Sequence, residues 1–168
     1  MVVCATKPAS IIISMAVTGS PPSYGLSAHE LAAWRGMLQV HARVTQRLDT
    51  QMHAEHGLSV SAYEVLMFLA DAPQHRMRMS DIADRVLLSR SGCTRLVDRL
   101  ADQGCVTRCA AGDDGRGLFA QLTPDGLEKV GAARRTHHEG VRRFFLHHLT
   151  PTDQIALGDI WSRFPAHV

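Results

Sequence analysis

Ser89-Arg90-Ser91-Gly92-Cys93-Thr94-Arg95-Leu96-Val97-Asp98-Arg99-Leu100 is the stretch on which the reading of this chain turns. Cys93, Leu96, Val97 and Leu100 recur at i, i+3, i+4 and i+7, so the spacing predicts a helix with one apolar stripe. Ser91, Thr94, Arg95 and Asp98 fall on the opposite face. A helix that needs only solubility usually shows Glu and Lys there. Hydroxyls and guanidinium groups instead suit phosphates and base edges. Ser89 is placed to cap the helix, and Gly104 to end it.

The flanks extend the pattern. Ser80 is expected to cap a short preceding helix, with Asp81 and Asp84 early in it and Ile82, Ala83 and Val86 on its apolar side. Two short helices separated by Leu87-Leu88-Ser89 read as a helix-turn-helix. Two strands follow, Cys105 to Arg108 and Leu118 to Leu122, the second with Leu118, Ala120 and Leu122 on one face. Between them Asp113-Asp114-Gly115-Arg116-Gly117 reads as a turn with an Arg near its tip. Arg76-Met77-Arg78-Met79 has the length of an edge strand. Each piece alone is ordinary core or an ordinary hairpin. Their order specifies a winged helix, whose second helix enters a major groove and whose wing Arg reaches a minor groove or a phosphate.

With 168 residues and 45% hydrophobic content, the chain is long enough for one domain with a real core, or a small domain plus an extension. The formal net charge is +2, so any nucleic-acid surface must be local. Positive charge is almost all Arg, Lys7 and Lys129 being the lysines. Arg suits bidentate contacts to phosphate and guanine. Cys4, Cys93, Cys105 and Cys109 have no metal-finger spacing, which reads as a reducing cytoplasm with thiols acting as small apolar residues. The run Ile11 to Val17 is too short to span a membrane. Residues 1–25 are expected to form a disordered arm, with Met15 an alternative start.

The first long helix is expected at 27–56, opened by a capping box of Ser27 and Glu30 and a staple of Leu26 on Leu31, and stopped by Gly57. Leu31, Trp34, Leu38, His41, Leu48 and Met52 follow a heptad-like spacing. A second helix is expected from a box of Ser61 and Glu64 with Val60 on Val65, ending before Pro73. Thr123-Pro124 and Thr150-Pro151 each look like a helix start. The first of these helices carries Leu127, Val130, Val141, Phe144 and Phe145, and the second Leu157, Ile160, Trp161 and Phe164. The expected architecture is mainly α with a small β-wing. A winged-helix DNA-binding domain occupies 58–123, and a helical dimerisation region occupies 27–56 and 124–168. Wide apolar faces on the terminal helices call for a second copy, and a two-fold dimer sets two reading helices about 34 Å apart.

From about Leu58 to Leu122 the chain resembles the multiple-antibiotic-resistance regulator (MarR) family. The resemblance rests on Leu58-Ser59, Arg78 to Ala83, Leu88 to Gly92, Thr94 to Leu100, Gly104, Asp114 to Gly117 and Leu122 to Gly126. The flanking helices, within about 27 to 164, are similar to the family's dimerisation region more loosely. The resemblance implies a homodimeric winged-helix regulator, often a repressor, that leaves double-stranded DNA when a small phenolic or aromatic carboxylate ligand binds. On this reading the DNA contacts are Ser89, Arg90, Ser91, Gly92, Thr94, Arg95 and Arg99, with Arg116 from the wing. The family's wing commonly continues with a charged pair, whereas here Gly117 and Leu118 follow Arg116.

An effector must touch both the dimer helices and the winged helix in order to bias their relation. Trp34 and His41 share a face of the first helix, with Arg35 about 100° round from Trp34. Tyr63 and Met67 are i, i+4 neighbours on the second. Indole, phenol and thioether suit a flat ring, Arg35 a carboxylate and His41 a phenol hydroxyl. The bland alternative makes Trp34 and Tyr63 core, Arg35 solvated and His41 a satisfied interior histidine. A metal- or redox-responsive regulator is the rival reading, motivated by ten His, including His137-His138 and His147-His148. Adjacent His residues on a helix diverge by about 100°, and no Cys stands near the start of the first helix, where the family's peroxide sensors have one. No metal, cofactor or membrane is expected. Catalysis has no local motif to recommend it, with neither Gly-x-Ser-x-Gly nor a phosphate loop nor His-Glu-x-x-His.

Overall fold

A computed structural model describes residues 25–110 and 118–165. The arm expected at 1–25, all but its last residue, lies outside the described residues, as does the turn Asp113 to Gly117 with Arg116. The chain divides into two compact units, Met1–Met37 and Leu38–Val168.

Among the described residues six α-helices and three strands follow in the order α1 (Ala28–His56), α2 (Val60–Asp71), β1 (Arg76–Arg78), α3 (Met79–Arg85), α4 (Arg90–Asp102), β2 (Val106–Ala110), β3 (Leu118–Leu122), α5 (Pro124–Phe144) and α6 (Pro151–Trp161). Antiparallel pairing gives a sheet of order β1-β3-β2, with Met77 opposite Ala120 and Val106 opposite Leu122. The fold is therefore mainly helical with a small sheet, and the helix-turn-helix and its hairpin strands stand where the spacing places them.

The capping box at Ser27 forms, with the Ser27 amide donating to Glu30 Oε2 at 2.7 Å and the Glu30 amide donating to Ser27 Oγ at 3.3 Å. Gly57 takes φ +65 at the end of α1, a conformation that costs a residue without Cβ little. Two expected caps are corrected. Ser59, not Ser61, caps α2, accepting from the Ala62 amide at 3.1 Å. Leu58 is buried, and Asp49 accepts from the Val60 amide at 2.9 Å, so the helix begins earlier than Ser61 allows. Glu64 then falls in the second turn, where burial raises its carboxyl above the ordinary range. Ser80 does not cap α3 either. β1 runs straight into α3 with extended Arg78 at the cap position, and Ser80 Oγ donates to Asp81 Oδ1 at 2.9 Å.

Other bounds shift. The first hairpin strand begins at Val106 rather than Cys105. Leu118 shares the register face of Ala120 but is 52% exposed at the first position of the strand. α5 stops at Phe144, followed by a 3-10 turn, Leu146–His148. α6 stops at Trp161, short of Phe164.

The core of the second unit joins Tyr63, Leu66 and Leu69 of α2, Ile82 of α3, Leu96, Val97 and Leu100 of α4, Ala120 of β3, and Val130 and Ala133 of α5. Each fully buried large apolar side chain contributes about 1.5–3 kcal/mol. Of the heptad-like positions on α1, Leu48 and Met52 are buried, whereas Trp34, Leu38 and His41 are exposed in the single chain. α6 has no buried residue, with Ile155 68%, Trp161 47% and Phe164 60% exposed.

The junction of β3 and α5 is tight. Thr123 Oγ1 accepts from the Gly126 amide at 3.0 Å and donates to the Gly104 carbonyl at 2.7 Å, while the Thr123 amide donates to the Cys105 carbonyl at 3.0 Å. A Cβ on Gly126 would collide with that same Cys105 carbonyl and with Leu122. Gly126→Ala is expected to lower stability by about 1–3 kcal/mol. Gly131→Ala, on the same helix with no atom near its Cβ position, is expected to raise it by about 0.5–1 kcal/mol. Urea unfolding midpoints of the two variants check this, and equal midpoints would refute the close approach.

Candidate nucleic-acid interface

α4 is held from behind and displayed in front. Cys93 (1%), Leu96 (5%), Val97 (0%) and Leu100 (1%) are buried against the core. Arg90, Ser91, Arg95 and Arg99 are exposed, and Gly92 and Thr94 are partly so. The apolar stripe therefore orients the basic face outward.

Ser89 caps the helix, accepting from the Gly92 amide at 3.1 Å, and its hydroxyl lies 3.3 Å from that of Ser91. A Cβ on Gly92 would lie 3.1 Å from Ser89 Oγ, so the glycine leaves room for the cap. Thr94 Oγ1 donates to the Arg90 carbonyl at 2.9 Å, which leaves its lone pairs free to accept. Among the described residues Arg90, Arg95 and Arg99 form no salt bridge. Asp98, the acid on this face, is paired with Arg108 of β2 at 2.6 Å. An exposed pair adds under about 1 kcal/mol of stability. It does cover a negative charge that would repel phosphate, and it ties the helix to the wing strand. Sequence reading missed Arg108. Neither periodicity nor motif links positions ten residues apart on a helix and a strand.

β1 adds a second basic surface that sequence reading also missed. Arg76 and Arg78 alternate with buried Met77, and their guanidinium groups lie 4.1 Å and 4.9 Å from the ring centre of Phe119 on β3. Cation–π stacking on a shared aromatic holds both on one face of the sheet. Strand alternation was the available signal.

The residues proposed for an effector divide between the units. Trp34 (53% exposed) and Arg35 belong to the first, and both are exposed. In the second unit His41 is exposed, Met67 is partly buried, and Tyr63 is buried at 1%. The partner of Tyr63 is His137 of α5, a residue the sequence reading did not assign to this site. The rings stack with centroids 4.6 Å apart and planes 28° apart. The Tyr63 hydroxyl and His137 Nδ1 are both buried without a well-formed hydrogen bond among the described residues. Burial raises the Tyr63 phenol above its ordinary range, and the positive charge of Arg134 pulls it partly back. Burial, then the charge of His138, holds His137 below the ordinary imidazole range. Arg134 Nη2 also bonds Asp71 Oδ1 at 3.2 Å. Beside His137 in sequence, Thr136 Oγ1 donates to Glu55 Oε2 and accepts from His56 Nε2, each at 2.8 Å.

Among the described residues no group of three His, Cys, Asp or Glu side chains is placed to hold a metal ion. Cys93 and Cys105 are buried and Cys109 partly so, all free, and burial raises the Cys93 thiol. No helix of the described residues is long and apolar enough to cross a membrane.

Residues 56–117 match the family model described as the MarR family. Among solved structures the chain is similar to Sco3205, a MarR family transcriptional regulator from Streptomyces coelicolor in complex with DNA. The TM-score is 0.77 at 33% identity, over 82% of this chain and 90% of that one. It is similar also to AbsC, a MarR family regulator of the same organism, with TM-score 0.74 at 34% identity over 81% and 91% of the two chains. The HTH-type transcriptional repressor YetL of Bacillus subtilis (strain 168) is 36% identical over 77 residues, 46% of each protein.

The stacked pair makes stability depend on pH. His137 binds its proton less readily when folded than when unfolded. Stability is therefore full above the unfolded imidazole pKa of about 6.5. It falls as pH drops toward the depressed folded value, because the unfolded chain takes up the proton first. His137→Phe, which keeps a ring on Tyr63, is expected to flatten this slope between about pH 7.5 and 5.5. Urea midpoints across that window check it, and an unchanged slope in the variant would assign the dependence elsewhere.

Proposed function

The chain belongs to the MarR family of DNA-binding transcription regulators, and we propose that it works as a homodimeric repressor of a pseudo-palindromic operator. Its chemistry is recognition, not catalysis. On this reading 58–123 contacts DNA, and the helices within 27–56 and 124–168 pair two copies. The observation that carries the reading is α4. Four buried apolar residues on one face leave Arg90, Arg95, Arg99 and two serines presented on the other.

Each assigned residue has a distinct task. Arg95, one turn beyond the helix start, reads a base edge. Ser89 and Ser91 engage phosphate near the helix N-terminus, where the dipole favours anions. Gly92 leaves room for the backbone to approach, and Thr94, its proton held by the Arg90 carbonyl, accepts from a base-edge donor. Arg90 and Arg99 supply charge along the backbone, and Arg116 reaches from the wing. The exposed Leu38 and Val40 of α1, and Ile155, Trp161 and Phe164 at α6, are the apolar surface that the second copy covers. Similarity to YetL supports repression rather than activation, and DNA as the target supports a cytoplasmic location.

Arg95→Ala is expected to lose about 1–3 kcal/mol of operator affinity, and Arg116→Ala to lose affinity with a shallower salt slope. Both variants are expected to sediment as wild-type dimers. Fluorescence anisotropy across a salt series on a duplex selected from a random pool reads this out. Wild-type affinity in Arg95→Ala, or a stable monomer that binds the duplex, would overturn the assignment.

The released state is set by a phenolic or aromatic carboxylate ligand. Trp34, His41, Tyr63 and Met67 provide ring, imidazole, phenol and thioether surfaces, and Arg35 the countercharge. The Tyr63 hydroxyl, which has Arg134 close by, and the buried His137 Nδ1 are the polar groups a ligand would best satisfy, since an unsatisfied buried donor or acceptor costs about 1–3 kcal/mol. Calorimetry with 2- and 4-hydroxybenzoate is expected to show micromolar to millimolar binding, roughly −8 to −4 kcal/mol, that releases the duplex. Arg35→Ala is expected to bind DNA normally and ignore the ligand. Equally tight ligand binding in Arg35→Ala would remove that residue as the anchor.

A further inference from the structure

The turn between α3 and α4 holds a leucine where its geometry calls for glycine. The Val86 amide donates to the Ile82 carbonyl at 3.0 Å, and the Leu88 amide donates to the Ala83 carbonyl at 3.1 Å. This six-to-one closure is a Schellman cap, and it places Leu87 in the left-handed region at φ +53. α4 ends by the same device. The Cys105 amide reaches the Leu100 carbonyl at 2.9 Å, and there the left-handed residue is Gly104 at φ +72. α1 likewise ends on a left-handed glycine, Gly57. A side chain in this conformation brings Cβ close to the following carbonyl oxygen. Among the described residues the other left-handed ones that are not glycine, Gln74 and His75, are polar, and the His75 ring is tied to the Ala70 carbonyl at 2.8 Å.

Among the described residues the Leu87 side chain has almost no packing to offset the strain. Its neighbours Val86 and Leu88 turn into the core, at 7% exposed and partly buried, while Leu87 is 91% exposed. That is the highest exposure of any large apolar residue described. The position is specific, because Leu87 stands two residues before Ser89, the N-cap of α4. An isobutyl group at the entry of a helix lying in a major groove has no hydrogen bond to offer a phosphate. The apolar feature of a base edge in that groove is the C5-methyl group of thymine.

We propose that Leu87 is a specificity contact, held out by the left-handed turn so that its side chain packs on a thymine methyl group beside the recognition helix. The proposal rests on α4 lying in the major groove. It adds an apolar reader to a face whose other contacts are polar.

The test uses the full-length protein and the duplex that the wild type selects from a random pool. Leu87→Gly and Leu87→Asn both suit the left-handed turn, so their thermal midpoints are expected to equal or exceed that of the wild type. Their affinity for the selected duplex is expected to fall about tenfold, the scale of one leucine returned to water, with no change for a random-sequence duplex. Replacing thymines singly by deoxyuridine is expected to find one position per half-site where loss of the methyl group weakens the wild type but not Leu87→Gly. Arg95→Ala is measured alongside. If Arg95→Ala loses affinity and Leu87→Gly does not, Leu87 is no contact while the helix-in-groove reading stands. If both bind as the wild type does, that reading fails and takes this proposal with it. A Leu87→Gly defect with no sensitive thymine, or one equal on random DNA, overturns the methyl contact. Dissociation of Leu87→Gly into monomers overturns it too, by placing the leucine between copies.

Discussion

Burial of the α4 stripe is the constraint on which the rest of the structure depends. Cys93, Leu96, Val97 and Leu100 can leave water together only if the helix presents one fixed side to α2, α3 and the sheet. Once that side is fixed, the 3.6-residue period leaves no freedom for the other. Arg90, Arg95 and Arg99 face outward because their neighbours in sequence face inward. The Ser89 cap and the Asp98–Arg108 pair then settle the two ends of the same helix, the first by satisfying an amide and the second by tying it to β2.

α5 joins that reading head to the rest of its unit. Its first turn lies against the Cys105 carbonyl at Gly126, and its far end lies against Leu48 of α1 at Gly140, where an added Cβ would stand 2.5 Å from the leucine. Both glycines let backbone approach where a side chain would separate the elements. A helix of 21 residues is a stiff connector about 32 Å long at 1.5 Å per residue. Between its ends sit His137, stacked on Tyr63, and Thr136, bonded to Glu55 and His56. The polar groups of this junction are unequal. Thr136 is fully engaged, whereas the Tyr63 hydroxyl and His137 Nδ1 are not. A half-satisfied polar contact adds less to the junction than a fully paired one.

The two misplaced caps share one cause. Ser61 and Ser80 carry the right side chain for a cap, but capping is decided by which residue is extended when the chain turns into the helix. At α2 the burial of Leu58 and the reach of Asp49 moved that point to Ser59. At α3 the pairing of β1 with β3 kept Arg78 extended until the helix began. Caps at Ser89, Thr123 and Thr150 were legible because each of these residues is itself extended where its helix begins, so side chain and backbone agree at one position. Leu87 was illegible for the complementary reason. A left-handed residue without a glycine leaves no mark in the sequence.

Sequence alone determined the elements and their faces. Local periodicity sets a helix stripe or a strand alternation, and helix-turn-helix followed by a hairpin is specific in order and spacing. It determined the outward set on α4 for the same reason, since a helix face follows from its neighbours. Only the tertiary structure decided which side chains meet across the chain: Asp98 with Arg108, Phe119 beneath Arg76 and Arg78, and Tyr63 against His137. Those partners lie on different elements, and the distances between them follow from how the buried stripes pack, a sum over the whole core that no local window contains.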